Sequence, residues 1–347
     1  MIKFNSDYSE GCHPKILEQL TTTNLIQTVG YGEDEYCQQA KDLIKKVINQ
    51  PKSDVHFLVG GTQTNLIVIS SALRPYEGVI SPTSGHINVH ETGAIEATGH
   101  KIITVEHQDG KLSPSQIEKI MITHKNDPAY EHTVKPKMVY ISYSTEYGTI
   151  YSKQELQQIY QTCQKYQLYL FIDGARLGYG LMSSQSDLSI EDIAKYCDVF
   201  YIGGTKIGAL FGEALIINND YLKTDFRYNI KQKGAMLAKG RLLGIQFLTL
   251  FTDNLYFDIS KHAIDMANIL KDGIKKLEYQ FYIESSTNQQ FIILTNKQVQ
   301  QLQKTIGFSI IETLNDNSTI VRFCTSWATK KEDIDYLLQQ LSNIKHI

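Results

Sequence analysis

The sequence predicts an α/β protein: a large domain built on a mostly parallel sheet, followed by a small α+β domain at the carboxyl end. Three observations carry this. Between residues 55 and 217, short runs rich in Val, Ile, Tyr and Phe alternate with helical patterns, the signature of a parallel sheet covered on both faces. After about residue 240 the pattern changes to long helical stretches and then two further strands. The chain has 347 residues, 42% apolar and 20% charged, enough to bury a large core and divide into two domains.

The elements follow in order. Residues 55–59 read as the first strand, and Gly60-Gly61-Thr62-Gln63-Thr64-Asn65 turns from it into an apolar helix that runs to about residue 72. Further strands are expected at 79–81, 101–105, 138–142, 169–173, 199–203 and 213–217. Helices lie between them. One opens at Ser113-Pro114, with a serine cap and a proline in the first turn. Another spans 153–166. The later part holds helices over 240–251 and 260–277, strands at 290–295 and 319–325, and a last helix over 331–344.

Composition excludes several function classes. A net charge of −3 and a pI near 6.4 argue against nucleic acid or an acidic membrane surface as a partner. The amino-terminal residues lack a basic segment followed by an apolar one, and no apolar run is long enough to span a bilayer, so the expected location is the cytoplasm. Cys12, Cys37, Cys163, Cys197 and Cys324 are scattered, with no C-x-x-C pair and no histidine at ligand spacing. They read as reduced core thiols, and no metal site is expected.

Two motifs carry chemistry. Ile172-Asp173-Gly174-Ala175-Arg176 closes one apolar run, and Tyr201-Ile202-Gly203-Gly204-Thr205-Lys206 closes the next. Both fall at the carboxyl ends of strands, where open α/β sheets present ligands. A carboxylate and a lysine so placed suit pyridoxal phosphate (PLP): the acid keeps the pyridine nitrogen protonated, and the lysine holds the aldehyde. Asp-Gly and Gly-Gly also serve as ordinary turns, so the ordered pair carries more weight than either alone. The turn over residues 60–65 is the best anion site: its glycines admit a phosphate close to the backbone, the helix that follows offers free N–H groups, and Thr62 adds a hydroxyl. It lacks G-x-G-x-x-G and a matching ribose acid, so a nicotinamide cofactor fits poorly.

With Ser6-Asp7, Tyr31-Gly32, Gly61-Thr62-Gln63-x-Asn65, His86-x-Asn88, Glu91, Asp173-Gly174-Ala175-Arg176, Lys206 and Arg322, the chain resembles the threonine aldolase and β-eliminating lyase group of fold-type I PLP enzymes, low-specificity L-threonine aldolases in particular. The resemblance implies a PLP-binding large domain over 31–245 and a small domain over 246–347, with residues 1–30 associated with the active site and the small domain. By the same resemblance Lys206 carries the cofactor, Asp173 partners its pyridine nitrogen, and His86 lies on its ring; Gly61, Thr62 and Gln63 form the phosphate turn. Arg176 and Arg322 line the substrate pocket, Arg322 gripping an amino acid carboxylate with help from Ser6. An edge-strand arginine pointing to solvent is the plainer alternative for Arg322. Lys233, Lys239 and Tyr31 reach a neighbouring subunit's site, which implies a homodimer or homotetramer with shared active sites. A solvated basic segment accounts equally well for the two lysines.

The implied reaction is cleavage of a β-hydroxy-α-amino acid, such as L-threonine or L-allo-threonine, into glycine and an aldehyde. Better-known members carry a histidine followed by Asn-Gly where this chain has Thr145-Glu146-Tyr147-Gly148-Thr149, so Glu146 stands in that histidine's place. It accepts the β-hydroxyl proton if burial raises its pKa, or it binds only a polar substrate group. A β-eliminating lyase or an aminotransferase of the same fold, and a non-catalytic binding protein, remain as alternatives.

Overall fold

The structure, a computed structural model, describes residues 1–347. Seven strands form the main sheet in the order Asp54–Leu58, Glu213–Ile217, Val199–Gly203, Tyr169–Asp173, Lys135–Ser142, Glu77–Pro82, Ile102–Val105. Glu213–Ile217 pairs antiparallel with both of its neighbours, and the other pairings are parallel. Parallel neighbours need crossovers, which helices such as Pro114–Asn126 and Lys153–Lys165 supply. The antiparallel step needs only a loop. Residues 204–212 therefore turn back at the carboxyl edge of the sheet, and Lys206 stands on that turn.

Strand alternation sorts side chains to two cores. Met138 and Tyr140 join Phe171, Val199 and Tyr201 on one face, while Val139 and Ile141 join Ile172, Phe200 and Ile202 on the other. Because both faces are covered, these strands read as continuous apolar runs rather than alternating ones.

The small domain is an antiparallel sheet in the order Ser309–Asn315, Ser318–Cys324, Gln289–Thr295, Phe281–Ile283, backed by Lys331–Ile344. Its core holds Leu270, Ile292, Val321, Phe323, Leu337 and also Phe4. The chain's start is tied to it: Ile2–Lys3 pairs with Ile306–Gly307, and Cys324 N donates to Phe4 O (2.9 Å). No sharp boundary falls at 246. Helix Leu255–Lys276 is shared, with Ile259, Ala263 and Ile264 in the large core and Met266, Leu270 and Ile274 in the small one. It begins earlier than 260 because Asp253 and Asn254, at φ 51° and 62°, break it from Arg241–Phe251 just upstream.

The helices not anticipated include Pro14–Thr22 and Glu35–Val47, as well as the shorter Phe226–Gln232 and Asn296–Leu302. The polar faces of the first two hide a narrow apolar stripe, in the second only Cys37, Ala40 and Ile44. The available signal was Asp34, whose Oδ1 caps the helix by accepting from Cys37 N (2.9 Å). All five cysteines are free and buried. No helix is long and apolar enough to cross a membrane, and no cluster of His, Cys, Asp or Glu could hold a metal ion.

Candidate active site

The loops after strands Tyr169–Asp173 and Val199–Gly203 are locked together by backbone. Gly203 N donates to Gly174 O (2.9 Å). A Cβ on Gly174 would lie 1.8 Å from Tyr201 O, and one on Gly203 would lie 2.4 Å from Ala175 O. The glycines in both motifs therefore answer to close approach of two main chains, and that contact fixes Asp173 relative to Lys206. Both residues line one cavity of about 300 Å³ with Gly60, Gly61, Thr62, His86, Glu146 and Arg176.

Asp173 is engaged on both oxygens. Oδ2 accepts from Tyr140 Oη (2.6 Å) and Asn65 Nδ2 (3.2 Å), and Oδ1 accepts from Ala175 N (3.0 Å). Burial pushes its pKa up, but the nearby His86 and the Tyr140 and Tyr201 hydroxyls outweigh burial and leave it below the usual carboxylate value. Asn65 Nδ2 also donates to Glu91 Oε1 (2.7 Å), which lies 2.7 Å from His86 Nδ1. A continuous chain of hydrogen bonds thus orients the imidazole from the same network that holds Asp173.

The pKa of Lys206 is lowered, first by burial and then by the Arg176 charge, against the pull of Asp7, Asp173 and Glu213. Glu213 opens the antiparallel strand and accepts from Gly204 N and Thr205 Oγ1, both at 3.0 Å. Glu146 is half-buried, with its Oε2 out of reach of solvent. Its Oε1 accepts from Ser142 Oγ (2.6 Å) and His86 N (3.1 Å), while Oε2 has no partner. Burial raises its pKa, and the Ser142 bond only partly offsets that.

Arg176 lines the cavity, but Asp7 holds it: Nε donates to Oδ2 (2.7 Å) and Nη2 to Oδ1 (3.1 Å). Asp7 also accepts from Asn288 Nδ2 (2.9 Å); against its burial, the Arg176 and Lys206 charges bring its pKa down to about 2. Arg322 lies on an inner strand of the small sheet, which removes the edge-strand alternative. Its Nη1 donates to Gln289 Oε1 (3.1 Å) and its Nη2 to Asn5 O (3.2 Å), and its Nε is buried without a partner.

Other anticipated residues stand apart from this cavity. Ser6 Oγ meets Ser9 Oγ (3.1 Å) rather than Arg322, although its neighbour Asn5 touches that guanidinium. Gln63 points back to Val59, whose N–H donates to its Oε1 (3.3 Å). Tyr31 lines a separate depression with Arg227 and Met236, and Lys233 and Lys239 are absent from the cavity wall. Residues not foreseen as part of the site include Asp7, Tyr8, Tyr140, Ser142, Tyr201 and Glu213. Of these Asp7 and Tyr201 had a signal, their places in the Ser6-Asp7 pair and at the head of the lysine motif.

The cavity fits PLP on its own chemistry. A buried anion held by three donors, with an acceptor site to spare, stands ready for a protonated pyridine nitrogen. Helix Gly61–Ala72 begins with no side chain capping its first N–H groups, and a Cβ on Gly60 would meet nothing within 4 Å, so a phosphate has both donors and room.

Residues 4–297 match the family model described as beta-eliminating lyase. The low specificity L-threonine aldolase of Pseudomonas sp. (strain NCIMB 10558) is 29% identical over 337 residues, covering 95% of this chain and 94% of that protein. The solved structure of Leishmania major threonine aldolase superposes with a TM-score of 0.96 at 48% identity, covering 99% of this chain and 100% of that one. A Thermus thermophilus aspartate aminotransferase, 12% identical with a TM-score of 0.74, covers 99% of this chain and 91% of its own and shares the fold.

Proposed function

The chain belongs to the beta-eliminating lyase family, and from that premise we propose that it is a PLP-dependent threonine aldolase, splitting β-hydroxy-α-amino acids such as L-threonine or L-allo-threonine into glycine and an aldehyde. One observation carries the reading: Asp173, Lys206 and His86 line a single cavity at the carboxyl edge of the sheet. When bound, PLP supplies an aldehyde for a lysine and a protonated ring that takes up the electron pair left when a bond to Cα breaks.

The protein's own groups do the rest. Asp173, anionic and held by three donors, keeps a proton on the pyridine nitrogen. Gly61 and Thr62 receive the phosphate at the helix start. His86, steadied by Glu91 on the cavity wall, would restrain the ring. Lys206, with its pKa lowered, offers a free amine more readily than a surface lysine does. Arg322, which stands behind the cavity wall with one buried donor unpartnered, would take the substrate carboxylate and so help choose which bond breaks. Glu146 takes the β-hydroxyl proton on Oε2, the oxygen with no partner in the protein. Arg176, neutralised by Asp7, positions the chain's start against the site instead of competing for substrate.

The cytoplasm is the proposed location, and a homodimer or homotetramer with shared sites the proposed assembly. The exposed Leu25, Ile26, Val29 and Tyr31 support an apolar subunit contact. Tyr31, Lys233 and Lys239 would then act on a neighbour's cavity.

The test is product analysis of PLP-loaded protein with L-threonine and L-allo-threonine. Glycine and acetaldehyde in equal amounts are expected. Formation of 2-oxobutanoate, or of amino acids only when a keto acid is added, would replace the aldolase reading with elimination or amino transfer.

A further inference from the structure

We propose that Glu213 is a positioning residue that sets the proton affinity of the Lys206 nitrogen, and so the pH range over which that nitrogen stays protonated when joined to the cofactor. The inference rests on the PLP reading above and adds a group outside it. Glu213 is 4% exposed, lines the same cavity as Lys206, and accepts hydrogen bonds from Gly204 N and Thr205 Oγ1, the two residues just before the lysine. Clamping the loop needs an acceptor, but not a charge.

The neighbouring charges explain why an acid stands here. Around Lys206, Asp7 has its charge matched by Arg176 in a bidentate pair, and Asp173 is committed to Tyr140, Asn65 and Ala175. Both donors to Glu213 are neutral. The other ionisable groups near it are Asp173 and the Tyr201 and Tyr256 phenols, and the residues across from it on the two adjoining strands are Leu58 and Gly203. Asp7 has a cation of its own in Arg176, and Asp173 is the acid the PLP reading reserves for the pyridine nitrogen, which leaves Glu213 as the acid on this cavity wall whose charge is available to Lys206, a lysine whose proton affinity burial lowers. Burial raises the Glu213 pKa while the Lys206 charge pulls it down, so the acid's charge and the lysine's proton support each other.

The experiment is a spectral pH titration of the PLP-loaded protein, reading the visible band of the protonated linkage. Wild type and Glu213→Gln are compared, with thermal unfolding of each as a check on the fold. The amide keeps an acceptor for the loop and removes the charge, so the midpoint is expected to fall by about one unit, tenfold in proton affinity, with little change in unfolding temperature. An unchanged midpoint beside a lowered unfolding temperature would reduce Glu213 to a loop clamp and overturn the proposal. Should glutamine prevent folding, Glu213→Asp carries the test: its shorter reach lowers the midpoint part of the way, and an unshifted midpoint overturns the proposal. A wild-type protein that gains no visible band with PLP would instead sink the cofactor assignment.

Discussion

Asp173, buried, and Glu146, half-buried, are acids on the wall of one cavity, yet one is held below the usual carboxylate pKa and the other above it. The difference lies in donors. Asp173 receives hydrogen bonds on both oxygens and feels His86; Glu146 receives them on one oxygen only and leaves the other unpartnered. Burial costs each anion about the same kind of desolvation, so local hydrogen bonding decides which stays charged. At the pyridine end the protein needs a permanent anion. At the hydroxyl end it needs a group able to take a proton and return it.

The largest expected effect breaks the first half of this comparison. Asp173→Asn keeps side-chain oxygen and shape but loses the charge, and kcat for threonine cleavage should fall on the order of 10³-fold, with a folded, PLP-binding protein by absorbance and circular dichroism. Activity within a few-fold of wild type would mean that the anion is dispensable.

Glu146→Gln addresses the second half. A loss of roughly 10²-fold in kcat is expected, along with the acid limb of the pH profile. The sign follows from the raised pKa: the base must be ionised, so wild-type activity falls as pH drops through a value above the ordinary carboxylate range, and the variant is flat there. A glutamine variant with wild-type retro-aldol rates would leave Glu146 as a binding group only.

Asp7 extends the comparison to a third acid, buried and held by three donors like Asp173. Its pKa is depressed, from 3.8 to about 2, so its stabilisation is complete above its unfolded value and is lost as pH falls from about 4 to about 2. That loss should amount to about 2 kcal/mol. Denaturant unfolding of wild type and Asp7→Asn across that range should show the difference, and parallel slopes would remove the argument.

Arg322 is the cationic counterpart of Glu146, half-buried with one donor, Nε, unpartnered. Arg322→Lys loses the planar fork, and KM for the amino acid should rise roughly tenfold with kcat less affected. Steady-state kinetics separates the two parameters, and an unchanged KM would place the carboxylate grip elsewhere.

The lysine and aspartate motifs were legible because strand ends can be read from apolar runs, and an α/β sheet presents its ligands there. The strands at 169–173, 199–203 and 213–217 match their expected bounds. The helices over 14–22 and 35–47 were illegible because their apolar stripes are short and interrupted by polar residues. The reversed direction of Glu213–Ile217 also left no trace, since a strand buried on both faces looks alike in either direction.

By itself, then, the chain determined its elements, its strand-end chemistry and its family, because periodicity and short motifs are local properties. Only the tertiary structure decided that Asp7, 169 residues before Arg176, would neutralise that arginine. It also decided that Glu213 would stand behind the lysine loop, and that Glu146 would keep one oxygen free. Charge state in a buried site depends on which donors and ions surround a group in space, and those neighbours are brought together by packing, from positions that sequence order keeps apart.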